Sequence, residues 1–172
     1  HPSKAAADQM ILSGYKGGGD TGRWDLIHRD DNTVRFTHHD KDGTDTQLLL
    51  DTGLCNKGYW HHIAIVHDTS TNKDLLYWNG ELFAEGGSVT TELTPDEDLH
   101  IGCQATTGSF FHGYIADVVV HDGALNDTQI GIAASKIGIH KDSLGINPDG
   151  HYPLLNNVTA NQGGGGGTPS VS

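Results

Sequence analysis

The run Trp60-His61-His62-Ile63-Ala64-Ile65-Val66-His67-Asp68, followed by Leu75-Leu76-Tyr77-Trp78-Asn79-Gly80-Glu81-Leu82-Phe83, decides the fold class. Residues 63–66 are apolar and do not alternate, so the segment 61–68 reads as a strand covered on both faces and central in its sheet. The second run reads as two strands, 74–79 and 81–84, joined at Asn79-Gly80. That pair supplies the positive φ angles of a two-residue type I′ turn, which makes the unit an antiparallel hairpin.

The same grammar extends in both directions. Short apolar runs bounded by Gly, Asn, Asp and Thr predict strands over 9–13, 23–29, 33–38, 46–51, 99–103 and 114–121. In 33–38, Val34 and Phe36 share one face while Thr33, Arg35 and Thr37 share the other, the mark of a half-buried strand. Val118-Val119-Val120 lacks alternation and is expected to be central, like 63–66. One helix is predicted from Asn126, which can cap the first turn while Gln129 reaches back to it. Ile130, Ile132 and Ala133 form its apolar stripe, ending near Lys136. The fold class is therefore all-β: an antiparallel sandwich with one short helix near the C-terminal end of the domain. We place a lead-in at 1–8, the domain at 9–137, an extension at 138–162 and a Gly-rich linker or tail at 163–172, where Gly163–Gly167 precede Thr168-Pro169-Ser170.

The chain of 172 residues suits one domain, and 35% hydrophobic residues give it enough material for a core. Its 24 glycines agree with many turns. A net charge of −12 leaves no basic surface for nucleic acid or anionic lipid. No apolar run approaches the roughly 18 residues of a membrane span, so no membrane insertion is expected. The chain opens on His1 rather than Met, as expected of a processed or excised piece. Two sequons, at Asn126 and Asn157, suggest glycosylation and a secreted or cell-surface location. In that setting Cys55 and Cys103 are expected to form a disulfide, although two buried free thiols remain the alternative.

The central residues resemble the strand-and-hairpin signature of laminin-G-like (LamG-like and pentraxin-like) domains of the concanavalin A-like superfamily. Trp60–Asp68, Leu76–Gly80, Leu99-His100-Ile101-Gly102 and the run from Gly113 to Asn126 carry the likeness, in the family's order and spacing, from about Ile11 to Ala134. The resemblance implies a jelly-roll sandwich. Two departures stand out. Only residues 1–9 precede the first strand, where family domains usually carry an additional aromatic-rich strand. Either the fragment begins inside the domain, or a neighbouring chain or the C-terminal segment supplies that strand; docking on this edge is expected, which would make the protein part of a larger assembly. The loop equivalent to the pentraxin calcium loop reads Cys103-Gln104-Ala105-Thr106-Thr107-Gly108, with no carboxylate.

Because the superfamily includes glucanases, catalysis needs a test. Retaining glycosidases use two carboxylates about 5 Å apart. Asp96-Glu97-Asp98 follows Thr94-Pro95 without apolar interleaving and reads as a loop, while Asp117 is read as a structural residue on a strand face with Ile115 and Val119. No catalytic residue is assigned, and the chain is not expected to be an enzyme. Of the 12 histidines, His38-His39 and His61-His62 are adjacent pairs whose members point to opposite faces of a strand and cannot chelate together. No metal site and no cofactor are assigned, with calcium at Asp40, Asp42 and Asp45 kept as the alternative to a plain turn. Aromatics that stack on pyranose rings, with polar groups beside them, make Trp24, Trp78, His112 and Tyr114 the candidate ligand-binding residues. Trp60 and Trp78 are read first as core or hairpin packing rather than as ligand contacts. The expected function is a non-catalytic extracellular recognition or adhesion module that binds glycan or protein. The alternative is a structural subunit of an extracellular filament or surface assembly.

Overall fold

The computed structural model describes residues 8–14, 23–39, 45–50, 60–87, 99–104, 109–135 and 148–152. These form strands β1 (Gln9–Gly14), β2 (Trp24–His28), β3 (Val34–His39), β4 (Asp45–Leu50), β5 (Ile63–Asp68), β6 (Lys73–Trp78), β7 (Glu81–Gly86), β8 (His100–Ile101), β9 (Val118–His121) and β10 (Pro148–Tyr152), with helix α1 (Asp127–Ser135) between the last two. One sheet runs β4-β3-β2-β1-β8 and a second runs β5-β6-β7; β9 pairs with β10. The strand pairs are antiparallel. The expected all-β sandwich with a single short helix is what the chain forms.

The two larger sheets meet over one apolar layer. Leu26, Val34, Phe36 and Leu48 come from the five-stranded sheet and Leu76 from the other, with Ile63, Ile65, Trp78 and Ala84 packed around them. Val34 and Phe36 share the inward face, as their spacing requires. His38 continues that face and is buried with them. Phe36 and Leu76 are wholly inaccessible; each such side chain contributes roughly 1.5–3 kcal/mol of apolar burial. Two bulges adjust the edges, at Ile11 opposite Ile27 and Leu26, and at Phe83 opposite Leu76 and Tyr77.

The outer face of β5-β6-β7 carries a second, smaller core. Val66 and Tyr77 pack there against Leu125 and Ile130. The capping box forms as expected: the Gln129 amide N–H donates to Asn126 Oδ1 at 3.0 Å, and the Asn126 N–H donates to Gln129 Oε1 at 2.9 Å. The Tyr77 hydroxyl donates to Asp127 Oδ1 at 2.7 Å, and burial together with that bond pushes its pKa up to about 12. Asn79 and Gly80 have φ of 51° and 91°, as the hairpin turn predicted. A Cβ on Gly80 would come within 2.9 Å of the Ala134 Cβ, so the turn seats directly against α1.

Several expectations are corrected. Among the described residues β5 lies at an edge of its sheet rather than at the centre; β6 is the middle strand, and β5 is covered on both faces because one face meets each core. The predicted strand over 114–121 is shortened to Val118–His121, because Asp117 adopts a left-handed φ of 51°. Asp117 is thus half-buried but not on a strand face with Ile115. Val120 is exposed, not central; among the described residues β9 pairs with β10 alone. The extension at 138–162, which shows little pattern in sequence, supplies β10.

Candidate functional site

Two constellations lie at opposite ends of the sandwich. One end is marked by the pairs Ile63↔Trp78 and His28↔Val34, the other by His67↔Asp74 and Trp24↔His38.

At the first end, Trp60 and Tyr114 stand out in solvent, 64% and 65% exposed. Their rings lie against each other with centroids 6.3 Å apart and planes tilted by 51°. Beside them His61 stacks on Trp78, with centroids 4.4 Å apart and planes 26° from parallel. The backbone around each exposed ring is pinned. The His62 N–H donates to Asn79 Oδ1 at 3.0 Å and the Asn79 N–H donates to the His62 carbonyl at 2.8 Å, tying residues 60–62 to the β6–β7 turn. The Tyr114 segment is held by the Met10 N–H on the Ser109 carbonyl, the Phe111 N–H on the Gly102 carbonyl and the His112 N–H on Gln9 Oε1. Gly113 is required there, because a Cβ would meet the Phe111 ring at 2.6 Å. Two large aromatics are thus fixed in position while leaving their faces wet, an arrangement suited to stacking on an apolar ligand face at low entropic cost. Burial pushes the pKa of His62, behind Trp60, down.

Of the four candidate ligand residues, Tyr114 belongs to this exposed pair, while Trp78 stacks with His61 and packs half in the core. His112 is exposed on the same segment, two residues before Tyr114. Trp24 sits at the opposite end, packed on the inter-sheet core with its indole over Gly14. The reading of Trp60 as core or hairpin packing is overturned: β5 begins only at Ile63, so Trp60 precedes the sheet and escapes it.

At the second end, Asp74 of β6 is buried between two imidazoles. Its Oδ2 lies 3.1 Å from His38 Nδ1 and its Oδ1 lies 2.8 Å from His67 Nδ1. The two rings meet edge to face, with centroids 5.0 Å apart. Burial pushes the Asp74 carboxyl up, but the bonds and attraction of His38 and His67 outweigh it, so its pKa falls below the ordinary value. Among the described residues, the Nε2 atoms of both histidines are buried without a partner. Sequence reading missed this cluster. His67 and Asp74 are cross-strand neighbours in the β5–β6 hairpin and were accessible by counting register, but His38 arrives from the opposite sheet.

The remaining sequence candidates are placed as follows. Cys103 carries a free, half-buried thiol whose pKa is raised by burial, and its expected partner Cys55 lies outside the described residues. Asn126 is exposed at the start of α1, and Asn157 lies outside the described residues. So do Asp40, Asp42 and the run Asp96-Glu97-Asp98, while Asp45 opens β4. Among the described residues, no helix is long and apolar enough to cross a membrane.

Comparison with known proteins agrees with this architecture. The Laminin_G_3 family model, described as the concanavalin A-like lectin/glucanases superfamily, matches residues 1–131. No curated protein matches the chain. Among solved structures, the CBM40 of Ruminococcus gnavus IT-sialidase, bound to α2,3 sialyllactose, is similar with a TM-score of 0.58 at 18% identity, covering 77% of each chain. The receptor binding domain of botulinum neurotoxin D is similar with a TM-score of 0.53 at 18% identity, over 77% of this chain and 33% of that one. Residues 221–444 of an S-layer domain-containing protein from Clostridium thermocellum ATCC 27405 match with a TM-score of 0.42 at 22% identity, over 78% of this chain and 66% of that one.

Proposed function

The chain belongs to the concanavalin A-like lectin/glucanases superfamily, and from that premise we propose that it is a non-catalytic, secreted or cell-surface module that binds neutral glycans through Trp60 and Tyr114. The observation that carries this reading is the pair of fixed, solvent-facing aromatic rings at one end of the sandwich. Exposed large aromatics normally mark an interaction site. A sugar ring presents an apolar face to such rings, while His61 and His112 beside them offer polar groups for hydroxyls.

The ligand class follows from charge. Residues 60–72 and 109–122 contain no Lys or Arg, and the net charge is −12. These stretches offer an anionic sugar no cation for its carboxylate, Arg29 beyond His28 is already paired with Asp31 at 3.1 Å, and the net charge repels an anion at long range. Neutral glycans escape both penalties. The buried carboxylates of the described residues also speak for binding rather than hydrolysis: Asp25 is paired with Arg23 at 2.9 Å, and Asp74 is held by two histidines. Neither is placed as one of two carboxylates flanking a bond.

A glycan array, probed with and without calcium and carrying α2,3 sialyllactose beside neutral oligosaccharides, tests the reading. Neutral glycans are expected to bind independently of calcium. Trp60→Ala and Tyr114→Ala should each weaken the best ligand at least about tenfold, ~1.4 kcal/mol, without lowering the melting temperature. An array with no sugar preference would reject the glycan reading and favour a subunit of a surface assembly.

A further inference from the structure

We infer that His38, His67 and Asp74 form a binding site for one divalent transition-metal ion, with zinc the best match. The three residues come from three strands and both sheets, and they offer one donor atom each within 4.8 Å of one another. A tetrahedral zinc with ligands at about 2.0–2.2 Å spaces its donors roughly 3.3 Å apart. The Asp74 oxygens already stand 3.1 Å from His38 Nδ1 and 2.8 Å from His67 Nδ1. Both carboxylate–imidazole spacings therefore lie close to what the ion needs, and it would take the place of the protons now shared along them, each imidazole carrying its own proton on Nε2.

Three further observations agree. Two imidazoles and one carboxylate suit zinc and its neighbours, whereas calcium takes oxygen ligands. The Asp74 carboxylate is wholly inaccessible between the sheets, and a buried carboxylate is a charge that a divalent cation compensates. Three protein donors leave a fourth position for water, and the apolar layer of Leu76, Phe36 and their neighbours closes the site from the interior.

The test uses the full chain stripped with chelator. Zinc is titrated calorimetrically, and cobalt(II) is added to report coordination number through its visible spectrum. One equivalent should bind, cobalt should give the intense bands of a four-coordinate site, and zinc at about a hundredfold excess over its Kd should raise the melting temperature by roughly 5–10 °C. Calcium should do none of this. His67→Gln and Asp74→Asn should abolish the cobalt bands and the thermal shift, while His39→Gln, on the opposite strand face, should retain both. No shift and no four-coordinate spectrum would overturn the site, as would binding that survives His67→Gln or Asp74→Asn or that is lost with His39→Gln. Where a variant does not fold, the wild-type cobalt spectrum decides, because surface histidines give only the weak bands of a six-coordinate ion.

Discussion

Replacing Asp74 by Asn in metal-free protein isolates what the buried carboxylate does for the fold. Asp74 accepts from both imidazoles, one at each oxygen. The amide keeps one acceptor oxygen but turns a donor toward the other ring, so one histidine must move its proton to an Nε2 that has no partner. Two charge-assisted bonds of ~1.5–3 kcal/mol become two neutral bonds of ~0.5–1.5 kcal/mol at best. The loss is about 2–3 kcal/mol, or roughly 5–10 °C in melting temperature for a chain of this size. The depressed pKa of Asp74 shows which way the balance falls: the histidine bonds outweigh desolvation, so ionised Asp74 is favoured by the fold. Because its folded pKa lies below the ordinary 3.8, its contribution is fully present above that pH and is lost as pH falls through the folded value. Thermal melts of the wild type and Asp74→Asn, both in chelator, should differ most at pH 7 and converge in acid. Equal stability at pH 7, or a deficit that does not shrink in acid, would refute the reasoning.

Two other perturbations have defined outcomes. Asn126→Ala removes one half of the capping box and should cost about 1 kcal/mol, a drop of roughly 2–4 °C in a thermal melt, without altering glycan binding. Burial raises the Cys103 thiol pKa, so native protein should react with a disulfide reagent near neutral pH more slowly than unfolded protein; no reaction after unfolding without reductant would mean that the thiol is bonded to Cys55.

The legible parts of this molecule are those written in local chemistry. Asn79-Gly80 specifies a turn because few other pairs tolerate two positive φ angles, and Asn126 with Gln129 specifies a helix start because the two side chains satisfy each other's backbone. Alternation at Val34 and Phe36 identifies an inward face because a strand has a period of two. Legibility stops where the third dimension decides. Trp60 and Ile63 look alike as apolar residues in one run, yet the sheet begins between them, so one is wet and the other packed. His38 lies beside His39 in sequence and was discounted as half of a pair that cannot chelate. Its real neighbours, His67 and Asp74, belong to the facing sheet, and no local spacing connects them. The left-handed turn at Asp117 and the pairing of Pro148–Tyr152 with β9 likewise depend on where the rest of the chain has already gone.

Strand β6 divides its side chains between two interiors: Asp74, Leu76 and Trp78 toward the facing sheet, and Leu75 and Tyr77 toward the helix. Position along this strand therefore works as a parity bit. Inserting or deleting one residue inside β6 would break the alternation that sends Tyr77 to one interior and, to the other, Asp74 between its two histidines and the Trp78 indole on which His61 stacks. The two-residue turn that follows leaves no slack to restore the register, and both proposed sites inherit that intolerance.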